Sequence, residues 1–257
     1  MMGKHRLRLR QMGWLLTLVC ACALSLDVCA KAYWLPAGRD SVVGKLGGIE
    51  AASKDTLVDV ARRFNLGFEE MRLANPAVDP WVPVNGDLVV LPSLFVLPDA
   101  PRDGVVLNVA EMRIYYYPPA PRKQRPWVLT HPVSIGRQDW KTPLGITRIT
   151  AKTLDPSWYP PASIIAENAA KGRVLPKRVP PAPNNPLGRH ALRLALPGYL
   201  IHGTNRPMGI GMRVSHGCVR MYPEDIAGIR GDRLEIEPAN VIVQCPACID
   251  DRAAQLF

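Results

Sequence analysis

The run Ser215-His216-Gly217-Cys218-Val219-Arg220 holds a cysteine, a histidine and an arginine within six residues. Ile201-His202-Gly203-Thr204 supplies a second histidine sixteen residues before the cysteine. Cysteine attacks as its thiolate, and a free thiol with a pKa of about 8.5 is only partly ionised at neutral pH. A histidine in hydrogen-bond reach can take that proton and later hand it to a leaving amine. Two candidates exist. His216 would share a face with Cys218 if the segment ran extended, whereas His202 ends a separate strand and the glycine-rich stretch 203–211 could fold it back beside the thiol. Gly203 and Gly217 let backbone approach a substrate without side-chain obstruction. The amides of Gly217 and Cys218 are then natural donors to a developing oxyanion, where one lost donor costs about 3 kcal/mol. Arg220 is a fixed cation able to lower the thiol pKa or to grip a carboxylate with two prongs. The chemistry these types suit is acyl transfer at a thiol.

Rival chemistries fit less well. His202, His216 and Cys218 are all zinc-ligand types, yet no fourth ligand sits close by and His-Gly-Cys is too tight for comfortable chelation. No Ser-x-x-Lys occurs for a serine acyl-enzyme, and no His-Glu-x-x-His occurs for a zinc peptidase.

The ends of the chain bear on where such a site would work. Lys4, Arg6, Arg8 and Arg10 precede an apolar stretch over residues 12–26, and Val28-Cys29-Ala30 offers a cleavage site after Ala30. That is the pattern of a cleaved signal over residues 1–30, and the stretch falls short of the ~20 residues that span a bilayer. The expectation is therefore export by a cleaved signal. The removed segment carries four Lys/Arg and one Asp, net +3, so the mature chain keeps +7 of +10. A basic exported chain is drawn to anionic polymers, and both cell-wall peptide and outer lipid fit; nucleic acid is disfavoured by export and by the lack of an interleaved aromatic and basic motif. Cleavage leaves Cys218, Cys245 and Cys248. Cys245-Pro246-Ala247-Cys248, in the tail 245–257, is expected as a disulfide in an oxidising compartment, with free thiols or a redox pair as the alternatives.

The elements that must position the chemistry fall into two groups. Over residues 44–92, Thr56 caps a helix whose apolar positions 57, 60, 61 and 64 recur at helical spacing. Asn65-Leu66-Gly67 ends it, a second helix runs over 68–75 to Pro76, and 86–92 reads as a strand. From 103 to 244 the texture is β: a hairpin over 105–117 turning at Ala110-Glu111, strands over 127–135, 146–153, 191–196, 199–202, 234–237 and 240–244, and a short helix over 224–229 begun by Pro223. The Pro-rich stretch 156–187 is long for a connection and reads as a lid, with Trp158 and Tyr159 expected to cover the reacting thiol. The fold class is mainly β, sandwich-like with a few short helices, plus a small α+β module.

Two resemblances follow. Asp55-Thr56-Leu57, Ala61, Phe64, Leu73, Asn75-Pro76 and Gly86, Leu88, Leu91-Pro92 resemble the LysM family, which implies binding to glycan containing N-acetylglucosamine; the stretch 47–52 and Lys54 depart from its pattern. The histidine, Ser-His-Gly-Cys-x-Arg and the Thr142-Pro143-x-Gly145 turn resemble the YkuD-type L,D-transpeptidase catalytic domain over about 103–244. Glu111-x-Arg113-x-Tyr115-Tyr116-Tyr117 and Asn184-Asn185-Pro186-Leu187-Gly188 are similar to its periplasmic ErfK/YbiS group. That resemblance implies a thioester mechanism without metal or cofactor, on peptidoglycan stem peptides. It makes Cys218 the nucleophile and His202 the proton donor and acceptor, held by neighbouring backbone or by Thr204. Ser215, His216, Gly217, Arg220, Gly203 and Thr204 then shape the oxyanion and substrate site. The acceptor it implies is an amine, either of a second diaminopimelate or of an outer-membrane lipoprotein's C-terminal lysine; a carboxypeptidase using water and a non-catalytic wall-binding protein are the alternatives.

Overall fold

A computed structural model describes residues 32–37, 41–52, 54–119, 124–230 and 240–245. The expected signal (1–30), the strand over 234–237 and Cys248 lie outside these residues. Strands β1 (Ala32–Trp34), β2 (Val42–Gly44) and β3 (Gly47–Glu50) lead into helices α1 (Leu57–Arg63) and α2 (Phe68–Ala74), then β4 (Leu88–Leu91) and β5 (Leu94–Val96). β6 (Gly104–Asn108), β7 (Arg113–Tyr117), β8 (Trp127–Pro132), β9 (Ile135–Gly136) and β10 (Gly145–Leu154) follow. Helix α3 (Ala162–Ala170) precedes β11 (His190–Leu194) and β12 (Leu200–His202). A 3-10 turn (Pro207–Gly209), β13 (Arg213–Ser215), β14 (Val219–Arg220), α4 (Pro223–Arg230) and β15 (Asn240–Gln244) complete the order.

Nine strands form one sheet in the order β1-β8-β7-β6-β15-β10-β11-β12-β14. Leu129 of β8, Ile149 of β10, Ile201 of β12 and Val219 of β14 belong to a single core cluster, so the sheet curls until its ends share one interior. The mainly β, sandwich-like class read from the sequence is what the chain adopts. β6 and β7 are buried at every position because both faces are covered. Val105, Leu107, Ile114 and Tyr116 point into the curl, while Val106, Tyr115 and Tyr117 join a second cluster with Leu57, Val60, Ala61, Leu66 and Met71 of the N-terminal helices. A strand buried on both faces has no reason to alternate in polarity, which is why this hairpin reads as a continuous apolar run.

The two N-terminal helices start where their caps require. Thr56 Oγ1 accepts from the Asp59 amide at 3.1 Å and Asp59 reaches back to the Thr56 amide at 3.0 Å, a capping box. Asn65 has a left-handed φ of 57° and breaks α1 from α2. Their junction is tied to the sheet: Asn65 Nδ2 donates to Thr130 O at 2.8 Å, and Arg113 of β7, 1% exposed, makes a two-pronged pair with Glu70 at 2.7 Å. Arg62 pairs likewise with Glu224 of α4. The Phe68 and Glu69 amides bond Ile210 O and Gly211 O at 3.1 and 3.3 Å. Gly211 must be glycine here, since φ is +82° and a Cβ would lie 2.3 Å from the Phe68 nitrogen. The N-terminal helices therefore brace the loop joining His202 to Cys218.

Candidate active site

Parallel pairing of β12 with β14 sets Ile201 against Val219 and His202 against Arg220. Paired residues share a face of a sheet, and so do residues two apart along a strand. Extending that register puts Cys218 beside Leu200, on the same face as His202 and Arg220. The thiol lies 3.6 Å from Gly198 O, and the Leu200 backbone also bonds it. His216 does not share this face in the expected way. Gly217 takes φ +95°, a turn that an extended segment lacks, and His216 swings out to Glu167.

His202 is buried, and its Nδ1 lies 2.6 Å from Gly203 O. A carbonyl can only accept, so Nδ1 carries the proton of the neutral ring, and the Leu187 backbone bonds the same imidazole. Burial, then the charge on Arg220, pulls the His202 pKa down to about 4. Burial pushes the Cys218 thiol up, against the opposing pull of the Leu200 backbone bond and Arg220. At neutral pH the site therefore rests as a neutral thiol and a neutral imidazole. Of the two holders expected for His202, the backbone is the one observed; Thr204 Oγ1 instead accepts from the Arg206 amide at 2.9 Å. Gly203 does not offer its amide outward either, since that group bonds His190 O at 2.9 Å; the residue serves by close approach to Leu187 and Gly188.

The turn carrying the thiol is braced on every side. Ser215 Oγ accepts from the Gly217 amide at 3.1 Å and donates to Cys218 O. Thr142 Oγ1 donates to Gly217 O and accepts from the Gly136 amide, both at 2.9 Å. A Cβ on Gly217 would meet the Tyr199 ring at 2.8 Å. These bonds correct the expectation of two oxyanion donors: the Gly217 amide is spent inside the turn, which leaves the Cys218 amide for that role. Beneath it lies a small apolar cavity of about 20 Å³ touching Gly217, Val219, Tyr199 and Leu200, roomy enough for about one water.

Among the described residues Arg220 Nε is buried without a hydrogen-bond partner, and its guanidinium feels the titratable Cys218 and a second cation, Arg206. Burial lowers its pKa. A guanidinium whose Nε lacks a partner, on the same face as the thiol, suits an incoming carboxylate. Ser134 bonds both the amide and the carbonyl of Arg220 at 2.9 Å, fixing where that cation stands.

The stretch 156–187 differs from the expected loop. It contains α3, begun after Pro161 and closed by Lys171 with Gly172 at φ +68°. An Ala-rich run between Pro-Pro and Lys-Gly carries that helix in its composition; the flanking prolines hide it. Trp158 exchanges backbone bonds with Val179 at 2.8 Å at the base of the segment, and Tyr159 is 64% exposed. The residue of this segment that reaches the thiol turn is Glu167, through His216, and nothing in the local sequence singles it out. Cys218 is a free cysteine, Cys245 is disulfide-bonded, and its expected mate Cys248 lies outside the described residues. Among the described residues, no group of three His, Cys, Asp or Glu is placed to hold a metal, and no helix is long and apolar enough to cross a membrane.

A curled β-sheet presenting a buried histidine, a thiol and an arginine defines a thiol-centred site of the acyl-transfer class. The chain belongs to the YkuD family, the L,D-transpeptidase catalytic domain, whose pattern matches residues 102–230. It is 42% identical over 216 residues to the probable L,D-transpeptidase YcfS of Escherichia coli K12, covering 82% of this chain and 66% of that protein. It is 40% identical over 200 residues to the probable L,D-transpeptidase YbiS of the same strain, covering 77% and 64% respectively. The chain thus spans about two thirds of the length of these relatives. A solved L,D-transpeptidase 3 from Mycobacterium tuberculosis covers 79% of this chain and 90% of its own at 18% identity, with a TM-score of 0.37.

Proposed function

We propose that this protein is an L,D-transpeptidase of the periplasm, exported by a cleaved signal and acting on peptidoglycan stem peptides. The observation that carries the reading is the β12–β14 register, which gathers Cys218, His202 and Arg220 on one face with the histidine kept neutral by burial. The Cys218 sulfur attacks the carbonyl between the L-centre of diaminopimelate and the terminal D-alanine of a tetrapeptide stem. His202 Nε2 takes the thiol proton as the S–C bond forms, and the oxyanion collects at the Cys218 amide. Collapse breaks the C–N bond, the proton passes from His202 to the departing D-alanine amine, and a thioester remains. An amine then attacks the thioester, gives its proton to His202 and restores the thiol. That amine belongs to a second diaminopimelate, giving a 3-3 cross-link, or to the C-terminal lysine of an outer-membrane lipoprotein. The helix–helix–strand unit over 44–92 is a LysM-like module that holds the glycan.

The test is intact-mass analysis of the purified protein with a carbapenem, whose strained amide acylates a reactive thiol, followed by muropeptide digests with tetrapeptide dimers as donor. Expected are one adduct at Cys218, lost in Cys218→Ala, and new transfer products. Shortened stems without any cross-link would assign a carboxypeptidase that uses water, and no adduct at all would leave a wall-binding protein.

A further inference from the structure

Helix α3 is nine residues long and has no buried residue. An isolated helix of that length is marginal in water, and most helices in proteins are held by an apolar face. This one is held otherwise. The base of its segment is cinched by Asn185, 0% exposed, whose Nδ2 donates to Pro156 O at 2.8 Å, Pro180 O at 3.1 Å and Val179 O at 3.3 Å. Its outer turn is held by one carboxylate. Glu167 takes Arg137 Nη2 at 3.0 Å, Lys171 Nζ at 2.6 Å and His216 Nε2 at 2.6 Å. Lys171 belongs to the helix's own end, so the ties to the rest of the molecule are Arg137 and His216.

His216 is the side chain that projects from the thiol turn. The Gly217 amide and carbonyl are pinned by Ser215 and Thr142, and the imidazole is clamped between Glu167 and the edge-on Trp140 ring, 4.9 Å away. A carboxylate only accepts, so His216 Nε2 carries a proton and is committed outward. The Nε2 of His216 is therefore turned to Glu167 rather than to Cys218. Its ring instead anchors the residue that leads into Gly217.

We propose that Glu167 is a positioning residue for the reaction at Cys218: it locks His216, orients the Cys218 amide through the Gly217 turn, and seats α3 against the same turn. The inference rests on Cys218 being the acylated nucleophile of the proposed reaction. Released from Glu167, the turn presents its amide less well and α3, having no fully buried residue to hold it, admits water to the thioester.

Wild-type protein, Glu167→Gln, Glu167→Ala and Lys171→Ala are compared by three rates: acylation of Cys218 by a carbapenem, alkylation of Cys218 by iodoacetamide, and the division of a stem-peptide thioester between water and an added amine. The Glu167 variants are expected to acylate about 10- to 100-fold more slowly, the scale of a misplaced reacting group. Their alkylation should stay within about twofold, because attack on iodoacetamide needs no oxyanion donor and the resting thiol is already part-exposed, and hydrolysis should gain on transfer. Lys171→Ala, which removes an exposed pair, should stay within about twofold throughout. Acylation of Glu167→Ala within about twofold of wild type, with unchanged partition, overturns the inference while leaving Cys218 as nucleophile. No adduct on the wild-type protein refutes the proposed function, and the role of Glu167 with it. A variant that merely loosened the fold would raise alkylation along with its other changes, and that result also counts against a positioning role.

Discussion

Acid should unfold this protein partly through His202, and the size of that contribution follows from its burial. An ordinary histidine titrates at about 6.5, and burial beside Arg220 brings His202 down to about 4. At about 1.4 kcal/mol per pH unit, the difference is worth about 3 kcal/mol. The sign is set by which state binds the proton. Between about 6.5 and 4 the unfolded chain protonates His202 and the folded chain does not, so acid draws the equilibrium toward unfolding. The stability is fully present above about 6.5, falls through that window, and has no more to lose below about 4. Carboxylates held low in the folded state, Glu167 by its three bonds and Asp59 by Thr56, lose their contributions at lower pH. Urea unfolding at half-unit steps from pH 7.5 to 4, on wild type and His202→Gln, separates the two. The wild-type curve should lose about 3 kcal/mol more than the variant across the window, with the difference centred near pH 5. Parallel curves would refute the claim that His202 is buried neutral. The same protonation state sets activity: carbapenem acylation of the wild type should be flat from about pH 5.5 to 7.5 and fall to half near pH 4, where a solvated histidine would halve it near 6.5.

Other perturbations test the bracing. Thr142→Val removes an acceptor for the Gly136 amide and a donor to Gly217 O in a buried position, and should cost about 1–3 kcal/mol in urea unfolding while slowing acylation. Glu70→Ala leaves the Arg113 guanidinium, 1% exposed, without its counter-charge; a loss of about 3–5 kcal/mol is expected, against little change for the exposed pair in Arg72→Ala. Gly211→Ala forces a positive φ on alanine and a Cβ onto the Phe68 backbone, so the melting temperature and the acylation rate should fall together. A Gly211→Ala protein with wild-type values for both would show that the N-terminal helices do not brace the His202–Cys218 loop.

What the sequence by itself determined is local. Thr56 and Asp59 set the start of α1, Asn65 its end, and Pro76 stops the second helix, because capping and left-handed or proline geometry act within a turn of the chain. The β6–β7 hairpin was legible because its residues are apolar and β-forming regardless of partner. The reactive types were legible too, since a thiol, two histidines and an arginine around glycines have few other uses together. Only the tertiary structure decided how they are arranged. Whether His202 or His216 faces the thiol depends on the parallel β12–β14 register, which a crossover loop permits but does not dictate. Glu167 meets His216 across 49 residues, and no periodicity within α3 announces it. The Gly217 amide reads as a free donor until Ser215 folds onto it. Protonation states belong to the same class: imidazole and thiol are shifted by desolvation, a property of the assembled core rather than of any neighbour in the chain.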